Sequence, residues 1–221
     1  MRNTLVEILD QWPLVVVLSG LNAISIVALL VDLRRNNREI TGLMRWVWIL
    51  TVAYSGLLGL AVYFYSGRKQ IPQDSLWRRA FRSVAHCYSG CGAGEMAGLM
   101  LAVGVLGLKS TVAVAVITFS FAYVFGFALT AGPLLQDGVP FPKATRDAFI
   151  SDTASITAME ISAIGIDLWL ASAAGVHQAI FWSSLIVSLS FGLLVAYPVN
   201  VVLIRFGVKE GMHSPREAHA S

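Results

Sequence analysis

The sequence predicts an all-α protein, a polytopic transmembrane bundle of about six membrane-spanning helices in one domain. Its 221 residues are 56% hydrophobic and only 13% charged, with a mean hydropathy of +0.69, far above a soluble domain of that length. Apolar runs fall at approximately 13–32, 46–65, 84–108, 111–135, 148–174 and 179–204, each near the roughly 20 residues that cross about 30 Å of hydrocarbon. Lipid offers no partner to free backbone groups, so such runs must be helices.

In chain order, a two-helix hairpin (13–65) comes first, then a polar linker (66–82), a four-helix part (83–204) and a tail (205–221). The first run ends at Asp32-Leu33-Arg34-Arg35 without a small-residue cleavage pattern, which suits an uncleaved signal anchor. In the linker, Pro72-Gln73-Asp74-Ser75 reads as a turn into an amphipathic lead-in, 76–82, lying at the membrane surface. Trp46, Trp48, Tyr63, Tyr65, Trp77 and Trp182 sit near run ends, as headgroup-level anchors do. The basic residues also cluster at run ends, so the net charge of +3 calls for a lipid bilayer and no nucleic acid. With six crossings the charge bias places both termini in the cytoplasm, with Arg2, Arg68, Lys69, Arg78, Arg79, Arg82, Lys143, Arg146, Arg205, Lys209 and Arg216 inside. The short loop Arg34-Arg35-Asn36-Asn37-Arg38 is an inside signal that this arrangement puts outside.

Two runs carry ionisable side chains deep within them. A charge at mid-bilayer costs several kcal/mol, so such residues face protein or water and mark function. In the third run, Cys87, Cys91 and Glu95 recur at i, i+4 and i+8 on one helix face. Gly90, Gly94 and Gly98 form a small-residue stripe beside them, fit for a close helix neighbour or for a second copy of the chain. The fifth run enters from the same side and places Asp152 level with His86 and Cys87, and Glu160 level with Glu95. Thr153, Thr157, Glu160 and Asp167 share its face. Each residue also has a plainer role: Asp152 as a helix cap, His86 as a snorkelling interfacial residue, the cysteines as small packing groups, the threonines bonded to their own helix. Glu95 and Glu160 suit such roles least, because a mid-bilayer carboxylate must be neutral, paired or wet.

Three chemistries follow. His86, Cys87 and Cys91, completed by Asp152, are soft donors that favour copper or zinc, with Glu95 as a charge-compensating group; binding then releases a proton and weakens as pH falls. Passage of a proton, cation or small solute without a metal uses Glu95, Glu160, Thr153 and Thr157 as a transport lane. Thiol–disulfide cycling uses Cys87 and Cys91. No phosphate loop, Ser-His-Asp set or His-Glu-x-x-His motif is present, which argues against a hydrolase. Transport or binding of a soft metal ion is the first expectation and the metal-free pathway the second.

Several segments resemble a family: His86-Cys87-x-x-Gly90-Cys91-x-x-Gly94-Glu95, Ser151-Asp152-Thr153-Ala154-Ser155-Ile156-Thr157-Ala158, Ala196-Tyr197-Pro198-Val199-Asn200, Leu203-Ile204-Arg205 and Gly207-Val208-Lys209-Glu210. They are similar to the bacterial membrane-protein family known as domain of unknown function 4396, over most of the chain including the Trp48–Tyr65 stretch. The resemblance implies a multi-pass inner-membrane protein without an assigned activity. It includes Glu95, whereas position 160 is commonly an amide in that family.

Overall fold

The computed structural model describes residues 2–171 and 174–215, and its regular structure is entirely helical among them. A short α1 (Arg2–Leu9) precedes α2 (Trp12–Arg35), whose Pro13 sits in the first turn, where a missing N–H costs nothing. Next come α3 (Gly42–Ser55) and α4 (Leu57–Val62), the latter continued by a π-helical turn, Tyr63–Gly67. α5 (Leu76–Leu99), extended by a π-helical stretch to Val105, packs with α6 (Thr111–Gln136), α7 (Phe141–Leu170) and α8 (Ala179–Arg205). Ser75 and Ser110 accept hydrogen bonds from the backbone N–H groups of Arg78 and Ala113, capping α5 and α6.

Among the described residues four helices, α2, α6, α7 and α8, are long and apolar enough to cross a membrane. α5 runs beside them from one end of the bundle to the other. Its lower hydropathy reflects polar residues turned inward: Ser83, Ser89 and Glu95 are all buried.

The run 46–65 does not cross. α3 and α4 fold back on each other at Gly56, whose φ of +54° lies in the left-handed region that glycine tolerates. Trp48 meets Tyr63 edge-on at 5.3 Å between ring centroids, and Gly59 lies so close to Thr51 and Val52 that a Cβ would overlap them. Both ends of the pair therefore lie at the same end of α2. There Asp32 accepts hydrogen bonds from Asn36, Asn37, Tyr63 and Arg68, and the Lys69 N–H donates to Asn37 Oδ1 at 2.9 Å. Gly56 at the hairpin tip is buried, as irregular backbone at that depth requires, while the Leu57 side chain beside it faces outward. Asn22 Nδ2 of α2 donates to the Ala53 carbonyl at 3.1 Å.

This re-entrant hairpin alters the topology. Residues 2–10 sit at one end of the bundle, where the Arg2 guanidinium donates to the Trp169 carbonyl and the Ile180 N–H donates to Asp10. Residues 205–214 sit at the other, against the start of α5. Residues 2–10 and 205–214 thus lie at opposite ends of the bundle. Arg34, Arg35, Arg38, Arg45, Arg68, Lys69, Arg78, Arg79, Arg82, Lys143, Arg146, Arg205 and Lys209 gather at one end; the opposite end holds Arg2 and Lys109. Arg216 lies outside the described residues.

Residues 76–82 also differ from expectation. They are the first turns of α5 itself, with Trp77 exposed and Arg82 drawn inside by its ion pair with Asp74 and a hydrogen bond to the Ser66 carbonyl.

The glycine stripe is taken up within the chain. Gly90 lies against Gly126 and Phe125, Gly94 against Phe121 and Ala122, and Gly98 against Thr118, so α5 and α6 pack backbone to backbone.

Candidate functional site

With α6 pressed onto the glycines, the remaining inward faces of α5, α7 and α8 enclose the polar side chains. On α5, Cys87 and Glu95 are eight residues apart, and on α7, Asp152 and Glu160 are too. At 1.5 Å per residue both pairs span about 12 Å, so the two ladders stay in register.

At the basic end, Asp152 is fully buried and accepts a hydrogen bond at 2.6 Å from Nζ of Lys209. The Cys87 thiol lies against the same carboxylate. His86 faces Asp152 too, beside the backbone of Leu129. Lys209 lies beyond the end of α8. Burial works against its ammonium charge, but the neighbouring Cys87 and the Asp152 carboxylate favour it, and the balance holds the amine above the ordinary lysine range.

One rung deeper, Glu160 sits by the Cys91 thiol and within electrostatic reach of Glu95. Both carboxyls are enclosed, with Glu95 2% and Glu160 1% exposed. Beyond them Asp167 interacts with Glu95 and accepts a hydrogen bond from Ser184 Oγ at 2.6 Å. Asp152, Glu160, Glu95 and Asp167 thus follow one another along the bundle axis.

The rungs share another property: Asp152 Oδ2, Glu160 Oε2 and Glu95 Oε2 are buried with no hydrogen-bond partner, as are His86 Nδ1, Thr130 Oγ1 and Thr153 Oγ1. Buried polar atoms are nearly always paired, so a row of unpaired ones is a candidate place for ordered water.

A cavity opens at each end of the row. The one at the basic end, about 660 Å³, is lined by Ser83, His86, Thr130, Asp152 and Lys209 among others. The opposite one, about 400 Å³, is lined by Leu99, Lys109, Asp167, His177 and Phe181.

The residues expected to form a site are brought together, but as a column rather than a cage. Among the described residues no group of three His, Cys, Asp or Glu side chains is placed to hold a metal ion. Asp152, the expected fourth ligand, is already engaged by an ammonium. Both cysteines are free and buried, and Cys91 Sγ packs where a Cβ on Gly126 would fall. Thr153 and Thr157 are half-buried on α7.

Lys209 is the residue that sequence reasoning missed in this site. It follows the last apolar run and reads as one more flanking cation; the only signal was its place in the Gly207-Val208-Lys209-Glu210 segment. Asn200 was missed as well. It donates to Ser155 Oγ at 2.5 Å and keeps an unpartnered Oδ1 in the interior.

Fold and site together define an all-helical membrane-type bundle with an enclosed acidic column. The chain belongs to the family described as a domain of unknown function, DUF4396, which matches residues 76–209. That match covers α5 to α8 and ends at Lys209, leaving the re-entrant hairpin outside it. No curated protein and no solved structure matches the chain.

Proposed function

We propose that the protein conducts protons across a bacterial inner membrane through the column Asp152–Glu160–Glu95–Asp167. The observation that carries this reading is the interacting pair Glu95 and Glu160, buried mid-bundle, each with an unpartnered oxygen, between cavities at opposite ends. A carboxylic acid can give its proton to a neighbouring carboxylate and later receive another. Each hop breaks one O–H bond and makes one, and where successive acids stand farther apart than a hydrogen bond, as Asp152 and Glu160 do at about 12 Å of helix rise, water between them passes the proton on.

Two alternatives receive less support. A soft metal ion finds the right donors in His86, Cys87 and Cys91 but no converging set, and Lys209 competes for Asp152. A hard cation needs several oxygen ligands at once, whereas the neighbours of Glu160 include a thiol and apolar Met159.

The gathering of basic residues at one end supports a cytoplasmic placement for that end, with residues 2–10 on the other side of the membrane. The re-entrant hairpin removes the conflict posed by Arg34, Arg35 and Arg38, because their loop then shares a side with the other basic loops.

The test is proton flux into proteoliposomes under an imposed membrane potential, comparing wild type with Glu95→Gln/Glu160→Gln. Flux well above protein-free vesicles in wild type and lost in the double variant is expected. Equal flux in both removes the proposal.

A further inference from the structure

We propose that residues 206–212 form a gate, in which Lys209 plugs the basic-end mouth of the column by holding Asp152 as an ion pair. This rests on the relay reading above for its consequence, but the plug itself is a claim about access to Asp152 and Cys87 and is testable without flux.

The geometry has three parts. The first is the plug: Lys209 Nζ is 2.6 Å from Asp152 Oδ1, and beneath that pair the Cys87 thiol is fully buried. An ammonium fixed on Oδ1 of the outermost carboxylate leaves only Oδ2 to receive a proton, favours the ionised acid, and repels any cation approaching it. Lys209 also faces Cys91, and His86, Asp147 and Glu210 line the same cavity. Of these side chains only Asp152 bonds to Lys209.

The second is a pair of hinges. Gly207 and Gly211 flank the plug with φ of +71° and +75°, conformations that other residues avoid. Around Gly207 nothing lies within 4 Å of where a Cβ would be, whereas at Gly211 a Cβ would meet Ile204 at 2.8 Å, so the room to pivot is at Gly207.

The third is a fixed anchor beyond the second hinge. The Met212 N–H donates to Ser83 Oγ at 3.0 Å, and Arg82 Nε donates to the Met212 carbonyl at 2.9 Å. Arg82 is itself held by Asp74 and the Ser66 carbonyl. Between the two glycines the backbone is held by the Val208 and Lys209 N–H groups, which donate to the Leu203 carbonyl, and by Arg79, which donates to the Glu210 carbonyl, so the gate opens first by release of the Lys209 side chain from Asp152.

A buried ion pair also occurs as a mere structural element, and often adds little to stability. The two roles differ in what they predict for a thiol beneath the pair. The experiment uses full-length protein in liposomes and a small neutral thiol reagent, with Cys91→Ala so that Cys87 is the sole target. Lys209→Gln is expected to raise the Cys87 labelling rate by about tenfold or more, a shift that needs only a modest change in the open population. Lys209→Arg, which keeps the ion pair, is expected to label like wild type. A control carries Cys87→Ala instead, with Cys91 as reporter; Cys91 lies deeper, against Gly126, and is expected to stay protected.

Unchanged Cys87 labelling in Lys209→Gln overturns the gate. So does an equal rise at Cys91, which would mean that the bundle had loosened as a whole. Proton flux in the same liposomes separates the two proposals. If neither wild type nor Lys209→Gln conducts while Cys87 opens as expected, the gate stands and the relay falls. If wild type conducts, Glu95→Gln does not, and Cys87 labelling is unchanged, the relay stands and the gate falls.

Discussion

Glu95→Gln alone is the sharpest perturbation of the column, since it removes a proton carrier and little else. Glutamine has the shape of a protonated glutamate, and Glu95 Oε2 has no hydrogen-bond partner to lose, so folding stability is expected to stay within about 1 kcal/mol of wild type. The effect on conduction is different. In wild type the step from Asp152 to Glu160 already spans about 12 Å of helix rise and is carried by water or by the Cys87 and Cys91 thiols beside them. Without Glu95 a second long step opens, since the next acidic group along α7 from Glu160 is Asp167, seven residues away, about 10 Å of helix rise. Proton transfer needs heavy atoms roughly 3 Å apart. A proton must then cross the gap as a less stabilised charge, and a charge at mid-bilayer costs about 2.5–3.5 kcal/mol on the insertion scale. At 1.36 kcal/mol per tenfold in rate, conduction falls roughly a hundredfold. The assay is a pH-sensitive dye trapped in proteoliposomes, with flux started by a potassium diffusion potential. Flux within about twofold of wild type, in a variant whose melting temperature is unchanged, refutes the relay, because the barrier worked out above admits no such result.

Further predictions test the scaffold around the column. A Cβ at Gly94 falls 2.6 Å from Cα of Ala122, so Gly94→Ala is expected to lower stability by about 1–3 kcal/mol through overpacking, read from thermal unfolding in detergent. Asp32→Ala strands the Arg68 guanidinium, Tyr63 and two asparagines; it is expected to cost about 3 kcal/mol and to open the α3–α4 hairpin to proteolysis. Glu39→Cys and Gln73→Cys, in a background without the native cysteines, are expected to react with an impermeant thiol reagent from the same side of the membrane, and Ser110→Cys from the other. Labelling of positions 39 and 73 from opposite sides would restore a crossing helix. Elemental analysis of purified protein is expected to show copper and zinc below about a tenth of an equivalent, since structural metal binding needs a complete ligand set; a full equivalent lost in Cys87→Ser would return the soft-metal reading.

Helix identity and the register of the polar residues were legible because both depend on fixed periods. Apolar runs long enough to cross lipid have one backbone solution, and a shared spacing of eight residues keeps Cys87–Glu95 level with Asp152–Glu160 on any two helices that enter from the same side. The fold-back at Gly56 was not legible from hydropathy, because a buried helical hairpin and a spanning helix of equal length have the same composition. Its trace in the sequence was electrostatic. The cluster Arg34, Arg35 and Arg38 contradicted a six-crossing topology, and the structure resolves the contradiction by returning the chain at Gly56 to the end it came from. Lys209 was hidden for a related reason, since a lysine a few residues beyond an apolar run is the common flanking cation, and nothing local says that the chain turns back. Its inward course depends on Ser83 and Arg82, more than a hundred residues earlier, which hold Met212 against α5. The basic residues thus divide by role: most decorate one end of the bundle, Arg68 and Arg82 lock the loops, and among the described residues Lys209 alone pairs with an acid of the column. A charge-neutralising change at Arg34 or Arg38 is therefore expected to shift membrane orientation without altering Cys87 protection, whereas Lys209→Gln does the reverse. Loss of Cys87 protection in Arg34→Gln would show that the plug responds to the charge of the whole face rather than to its own ion pair.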